Sequence, residues 1–153
     1  MTLGAGRRTT DRQHAIGSYW MAYTGAVHRW DMFWADLEPG VGSEQKGERR
    51  PVIVVSNDGF NAHFPVVTIV PATKAEGKKR QPYPFEVVLP AGTITREHES
   101  IVMPHQVRTI SKMRLLERIG TLEDNGFREA IENRLLEHLD IAFDEESVDD
   151  IDE

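Results

Sequence analysis

Two adjacent arginines and a proline, Arg49, Arg50 and Pro51, close the polar segment GSEQKGERRP (42–51) and open the apolar run VIVVS. A guanidinium is permanently charged and carries its donors in a planar fork that matches a pair of phosphate oxygens. An arginine held at the rim of a strand therefore suits recognition of a phosphodiester. Pro51 restricts the residue before it to extended backbone, so Arg50 is the better held of the two, and Arg49 belongs to the freer loop. Other polar groups recur at strand ends. Glu44 and Gln45 sit in the same loop, Thr73 follows the run VVTIVPA, and Gln106, Arg108 and Thr109 lie in HQVRTI. The segment KAEGKKR (74–80) adds Lys74, Lys78, Lys79 and Arg80 against a single acid.

Several other chemistries are excluded or unsupported. The chain has no cysteine, which removes disulfides and thiolate metal sites. Its six histidines, at 14, 28, 63, 98, 105 and 138, show no pair at metal-ligand spacing. No Walker loop or dinucleotide glycine pattern occurs, and no serine stands in a nucleophile-elbow sequence. We expect no metal and no cofactor. The net charge of −7 divides unevenly: residues 140–153 carry eight acids and no base, and the other 139 residues carry 17 acids and 18 bases. A nearly neutral body is compatible with an anionic substrate, because the charge near a site decides.

The elements that must position these groups are mostly short strands. At 153 residues the chain fits one domain. WDMFWADL (30–37) alternates its aromatics, PVIVVS (51–56) is continuously apolar, and FPVVTIVPAT (64–73), YPFEVVLP (83–90) and ESIVMPHQVRTI (99–110) follow between turn residues. Five strands with no helix between them predict a small antiparallel barrel. Beyond GTLED, apolar residues at Phe127, Ile131, Leu135, Leu139 and Phe143 mark one face of a C-terminal helix over about 124–143. The fold class expected is mainly β with a C-terminal helix. Residues 1–27 read as a poorly ordered leader, 28–143 as the folded domain, and 144–153 as a solvated acidic tail. No apolar run approaches a membrane span and no signal peptide is visible, so a cytoplasmic protein is expected.

The order and spacing of DMFWADLEPGVGSEQKGERRPVIVVSNDGFN, VPAT, YPFEVVLP and HQVRTI resemble the MazF/PemK toxins of bacterial toxin–antitoxin pairs, over about residues 29–143. Two departures stand out. Trp30 occupies the place of a glycine usual before the first-strand aspartate, and both termini extend past the usual boundaries. The resemblance implies an SH3-like barrel of the MazF/CcdB type, a homodimer, and a metal-independent endoribonuclease that cuts single-stranded RNA. In that reaction the 2′-hydroxyl attacks the neighbouring phosphorus, leaving a 2′,3′-cyclic phosphate and a 5′-hydroxyl. It needs a cation on the phosphorane and two proton transfers.

On this resemblance Arg50 is the catalytic arginine and Thr73 hydrogen-bonds the scissile phosphate. Glu44 orients Arg50, moves a proton, or only shapes the loop. Ser43, Gln45, Arg49, Lys74, Lys78, Lys79, Arg80, Gln106 and Arg108 are the candidate RNA contacts. Each has a structural alternative. Surface arginines are often solvated charges, Thr73 could cap a strand, and Gln106 and Arg108 could tie the last strand to the first. Trp30, Phe33 and Trp34 are expected in the core or a dimer interface rather than as base-stacking platforms. A cognate antitoxin with an acidic, initially disordered segment is the expected protein partner. Two other classes compete. A CcdB-like gyrase poison would carry a terminal Trp-Gly-Ile, and this chain ends in DDIDE. A noncatalytic SH3-like binding module would not need an Arg-Pro and a threonine at facing strand ends.

Overall fold

The computed structural model describes residues 22–75 and 81–142 of the chain. Seven strands and two helices follow in order: β1 Asp31–Ala35, β2 Arg50–Val54, α1 Asp58–His63, β3 Val66–Lys74, β4 Val87–Leu89, β5 Ser100–Val102, β6 Arg108–Ser111, β7 Leu115–Thr121 and α2 Asn125–His138. All pairings are antiparallel, in the order β4-β5-β3-β2-β1-β7, with β6 also paired to β3. The nine-residue β3 is the spine. Its first half pairs with β6, its middle with β2 and its last three residues with β5.

The continuous apolar runs are explained by a sheet buried on both faces. Successive side chains of a strand point to opposite faces, so neighbours enter different cores. Met32, Ile53, Val70 and Ala72 join one core, which α2 covers through Ile131 and the partly buried Phe127 and Leu135. Phe33, Val52, Val54, Val67 and Ile69 join the other, with Ile110 and Leu115. At α2 the Asp124 side chain accepts from the Phe127 N–H, an N-cap worth about 1 kcal/mol.

The expected class holds, and several details differ. The segment 99–110 is two strands, separated by a 3-10 turn over Pro104–Gln106. A seventh strand, β7, was not expected, because Glu117 and Arg118 are consecutive exposed residues that interrupt alternation. The six-residue α1 is too short to show a period; the Asn57 side chain caps it by accepting from the Phe60 N–H. Among the described residues no ladder joins β4 to β7, so the small antiparallel barrel expected is present in an open form. The C-terminal helix stops at His138 rather than 143, with Asp140 at φ 55 and with Leu139 and Ile141 about half exposed.

Part of the predicted leader is packed. Tyr23 N–H donates to the Leu115 carbonyl at 2.7 Å, its ring meets Phe33 edge-on at 4.9 Å, and Val27 is buried. One aromatic and one valine in a short stretch leave no period to read. Residues 1–21, Phe143 and the acidic tail 144–153, as well as Lys78, Lys79 and Arg80, lie outside the described residues.

Candidate active site

The register of the sheet brings the two central residues together. Val52 stands opposite Pro71 and Ile53 opposite Val70. Continuing that antiparallel register by two residues sets Arg50 across from Thr73. The side chains meet: Arg50 Nη1 donates to Thr73 Oγ1 at 3.2 Å, and Arg50 Nε donates to the Lys46 carbonyl at 2.6 Å. Thr73 is buried and Arg50 half-buried. The guanidinium is thus fixed at two points, by a strand neighbour and by its own loop.

Gly47 makes the loop's approach to Arg50 feasible. Its φ of +135° is strained for any side chain, and a Cβ there would lie 2.7 Å from Arg50 Nε. The Gly47 carbonyl is held by the Leu37 N–H at 2.8 Å. Together these groups border an open pocket of about 290 Å³, whose lining includes Trp34, Arg49, Arg50, Thr73, Lys74 and Ser100.

The remaining predicted residues divide between this pocket and its supporting loop. Gln106 clasps the loop from the far side of the sequence. Its Nε2 donates to the Ser43 carbonyl at 3.1 Å, and its Oε1 accepts from the Gln45 N–H at 3.3 Å. It therefore ties the polar loop to the 3-10 turn, not the last strand to the first; the latter contact is made by β7 against β1. The Glu44 carboxylate accepts from the Val41 N–H at 3.1 Å, within its own turn, and no ion pair joins it to Arg50 among the described residues. Arg108 stands opposite Ile69 in β6, with its Nη1 buried and unpartnered among the described residues. Lys74 is exposed at the end of β3, opposite Ser100.

Arg49 takes a different course from Arg50. Both of its terminal nitrogens face the Glu117 carboxylate, at 3.1 and 3.5 Å, and its guanidinium carbon lies 4.9 Å from the centroid of the Trp34 ring. Phe33 and Trp30 are core residues, whereas Trp34 is only partly buried and lines the pocket. Gly47, Trp34 and Glu117 were not anticipated at the site. The signal for Trp34 lay in the Arg-Pro dipeptide itself, since Trp34 is the cross-strand partner of Pro51.

Similarity to known proteins agrees with this arrangement. The family model for PemK-like, MazF-like toxins of type II toxin–antitoxin systems matches residues 28–139. The chain is 42% identical over 98 residues to the endoribonuclease EndoA of Bacillus subtilis, which covers 64% of this chain and 82% of that protein. Among solved structures, MazF from Deinococcus radiodurans superposes with a TM-score of 0.64 at 24% identity, over 76% of this chain and 99% of that one. A mycobacterial endoribonuclease solved in complex with its cognate antitoxin gives 0.60 at 20%, over 79% of this chain and 100% of the other. These two likenesses concern the fold, and the family match covers the strands and loop that carry Arg50 and Thr73. The chain belongs to the PemK/MazF-like family of toxins of type II toxin–antitoxin systems.

Proposed function

We propose that this toxin is a metal-independent, sequence-specific endoribonuclease that cuts single-stranded mRNA by attack of the 2′-hydroxyl on the adjacent phosphorus. The observation that carries the reading is the Arg50–Thr73 pair, 3.2 Å apart at the pocket wall. The 42% identical Bacillus protein is named an endoribonuclease, which supports cleavage of RNA as the activity.

In the reaction the Arg50 guanidinium binds the non-bridging oxygens and stabilises the charge that grows on the phosphorane. Among the described residues its Nη2 has no protein partner, and the Thr73 hydroxyl is free to turn toward a phosphate that replaces the Arg50 contact. The fixed points at Lys46 and Thr73 hold the fork before substrate arrives, so little reorganisation accompanies the chemical step. Glu44, turned to Val41, serves the loop's shape in this account. Lys74, with Lys78, Lys79 and Arg80, supplies cations along the RNA backbone, and the 43–45 loop held by Gln106 borders the bases.

A cognate antitoxin with an acidic, disordered segment occupies the same groove and competes for its cations. We also read the protein as a cytoplasmic homodimer. Exposed apolar side chains support the dimer: Tyr83 and Phe85 stack at 5.1 Å, Phe85 meets His105 in a pocket that His138 also lines, and Leu139 and Ile141 are about half exposed.

The test is cleavage of a long defined RNA in EDTA by the wild type and by Arg50→Ala. Discrete cuts with 5′-hydroxyl ends, lost in a folded Arg50→Ala protein, are expected. Near-wild-type cutting by that variant would refute the assignment.

A further inference from the structure

Arg49 carries its charge into the pocket wall already satisfied. Both terminal nitrogens are directed at the Glu117 carboxylate, and one face of the guanidinium covers the Trp34 ring at 4.9 Å. The Arg49 side chain nevertheless remains 50% exposed. The guanidinium carbon sits over the indole and the fork meets a carboxylate, which leaves the side turned away from the ring as the direction open to a ligand. The register shift in the β1–β7 ladder creates this arrangement. Phe33 stands opposite Arg118 and Ala35 opposite Leu115, so Trp34 alone faces two residues, Leu116 and Glu117. Bulges of this kind re-aim a side chain, and here the one re-aimed is the acid that anchors Arg49.

We propose that Arg49 binds RNA through the flat face of its guanidinium, as a stacking shelf for a nucleobase next to the scissile phosphate, with Trp34 beneath it and Glu117 as the positioning residue. The proposal rests on the ribonuclease reading of the pocket and deepens it by giving the two arginines different parts. Arg50 handles phosphate charge. Arg49 handles a base. Unstacked bases of single-stranded RNA stack on aromatic rings and on arginine planes, and such contacts tolerate any base because each has a π-face. A carboxylate across the fork removes the advantage Arg49 would otherwise have as a second phosphate ligand. The shelf therefore contributes binding energy that depends little on salt, unlike a phosphate contact.

The two roles separate in a salt series. Steady-state cleavage of one defined single-stranded RNA is measured at several salt concentrations for wild type, Arg49→Ala, Arg49→Lys, Arg49→Tyr and Glu117→Gln, each checked for folding. Arg49→Ala is expected to raise KM roughly tenfold or more, with kcat changed by less than about twofold and an unchanged salt slope. Arg49→Lys keeps the charge and loses the plane, so it should resemble Arg49→Ala; Arg49→Tyr keeps a plane and should recover most of the loss. Glu117→Gln unpairs the charge and should steepen the salt slope toward one additional phosphate contact, about 0.7 in logarithmic units. Restoration of wild-type KM by Arg49→Lys, or a slope shallower by about 0.7 in Arg49→Ala, would make Arg49 a phosphate ligand and overturn the shelf. Wild-type KM in every Arg49 variant would overturn it too, while loss of cutting in Arg50→Ala would leave the nuclease reading standing. A wild-type protein that cuts no RNA would remove both.

Discussion

A tryptophan lies under an arginine at each end of β1, and the two pairs do different things. At the start, Trp30 is buried between Arg29 and Arg128, whose guanidinium carbons lie 4.8 and 5.7 Å from its ring. Both arginines donate to backbone carbonyls, Arg29 Nε to Val55 and Arg128 Nε to Leu122, and Arg29 Nη2 also lies 3.9 Å from the Glu132 carboxylate. At the other end Trp34 is partly exposed in the pocket, and its arginine is tied to a carboxylate. The same cation–π pairing closes a core in one place and builds a wall open to ligand in the other. Burial of the indole decides which.

Trp30 also carries backbone strain. Its φ is +74°, the left-handed region that favours glycine. The indole's burial in the core offsets a strain of order 1–3 kcal/mol. The Trp30 end is thus a stability device, and the Trp34 end, on the proposed reading, a binding device.

Mutations can break that contrast. The largest stability effect is expected from Trp30→Ala, about 3–5 kcal/mol from the lost core side chain. Trp30→Gly should be less destabilised than Trp30→Ala by about 1 kcal/mol, because glycine relieves the left-handed strain. Urea denaturation of both proteins checks the order; alanine above glycine would mean that the strain is not felt. Gly47→Ala comes next. A methyl 2.7 Å from Arg50 Nε must displace the guanidinium, so kcat should fall by about tenfold or more, with a smaller change in thermal midpoint. A variant with intact kcat would show that the loop yields instead. Gln106→Ala removes two hydrogen bonds to the loop backbone and should cost about 1–2 kcal/mol, read as faster amide exchange at residues 43–45. Unchanged exchange there would deny Gln106 its clasping part. Smallest in stability is Trp34→Ala, whose ring is only partly buried. We expect a shift under about 2 kcal/mol together with weakened RNA binding, the reverse of the Trp30 pattern. A large loss of stability with unchanged binding would erase the contrast.

How far this was legible in the sequence follows from what each feature depends on. β2 and β3 were visible because burial on both faces demands apolar residues without interruption, as in VIVV and VVTIV. β7 was hidden by Glu117 and Arg118, and its bulge is a matter of pairing, which no local pattern reports. Arg50 and Thr73 were legible as polar residues at the ends of apolar strands. Their contact needed only the hairpin-like register of β2 on β3. The separate fate of Arg49 was not legible, because it depends on Glu117, 68 residues away. Gln106 was expected to touch RNA or to tie the last strand to the first; its hydrogen bonds to the polar loop depend on the 3-10 turn that breaks 99–110 in two. The helix was overextended because Leu139 continues the apolar period without being buried.

The central claim is that Arg50 and Thr73 serve an attack by the RNA's own 2′-hydroxyl. The most direct measurement uses two RNAs, identical except for one deoxyribose immediately 5′ of the mapped cut, incubated with the wild-type protein in EDTA. The all-ribose strand is expected to be cut to a 2′,3′-cyclic phosphate and a 5′-hydroxyl, and the deoxy strand to resist at that bond. Cleavage of the deoxy strand at the same phosphodiester would contradict that claim.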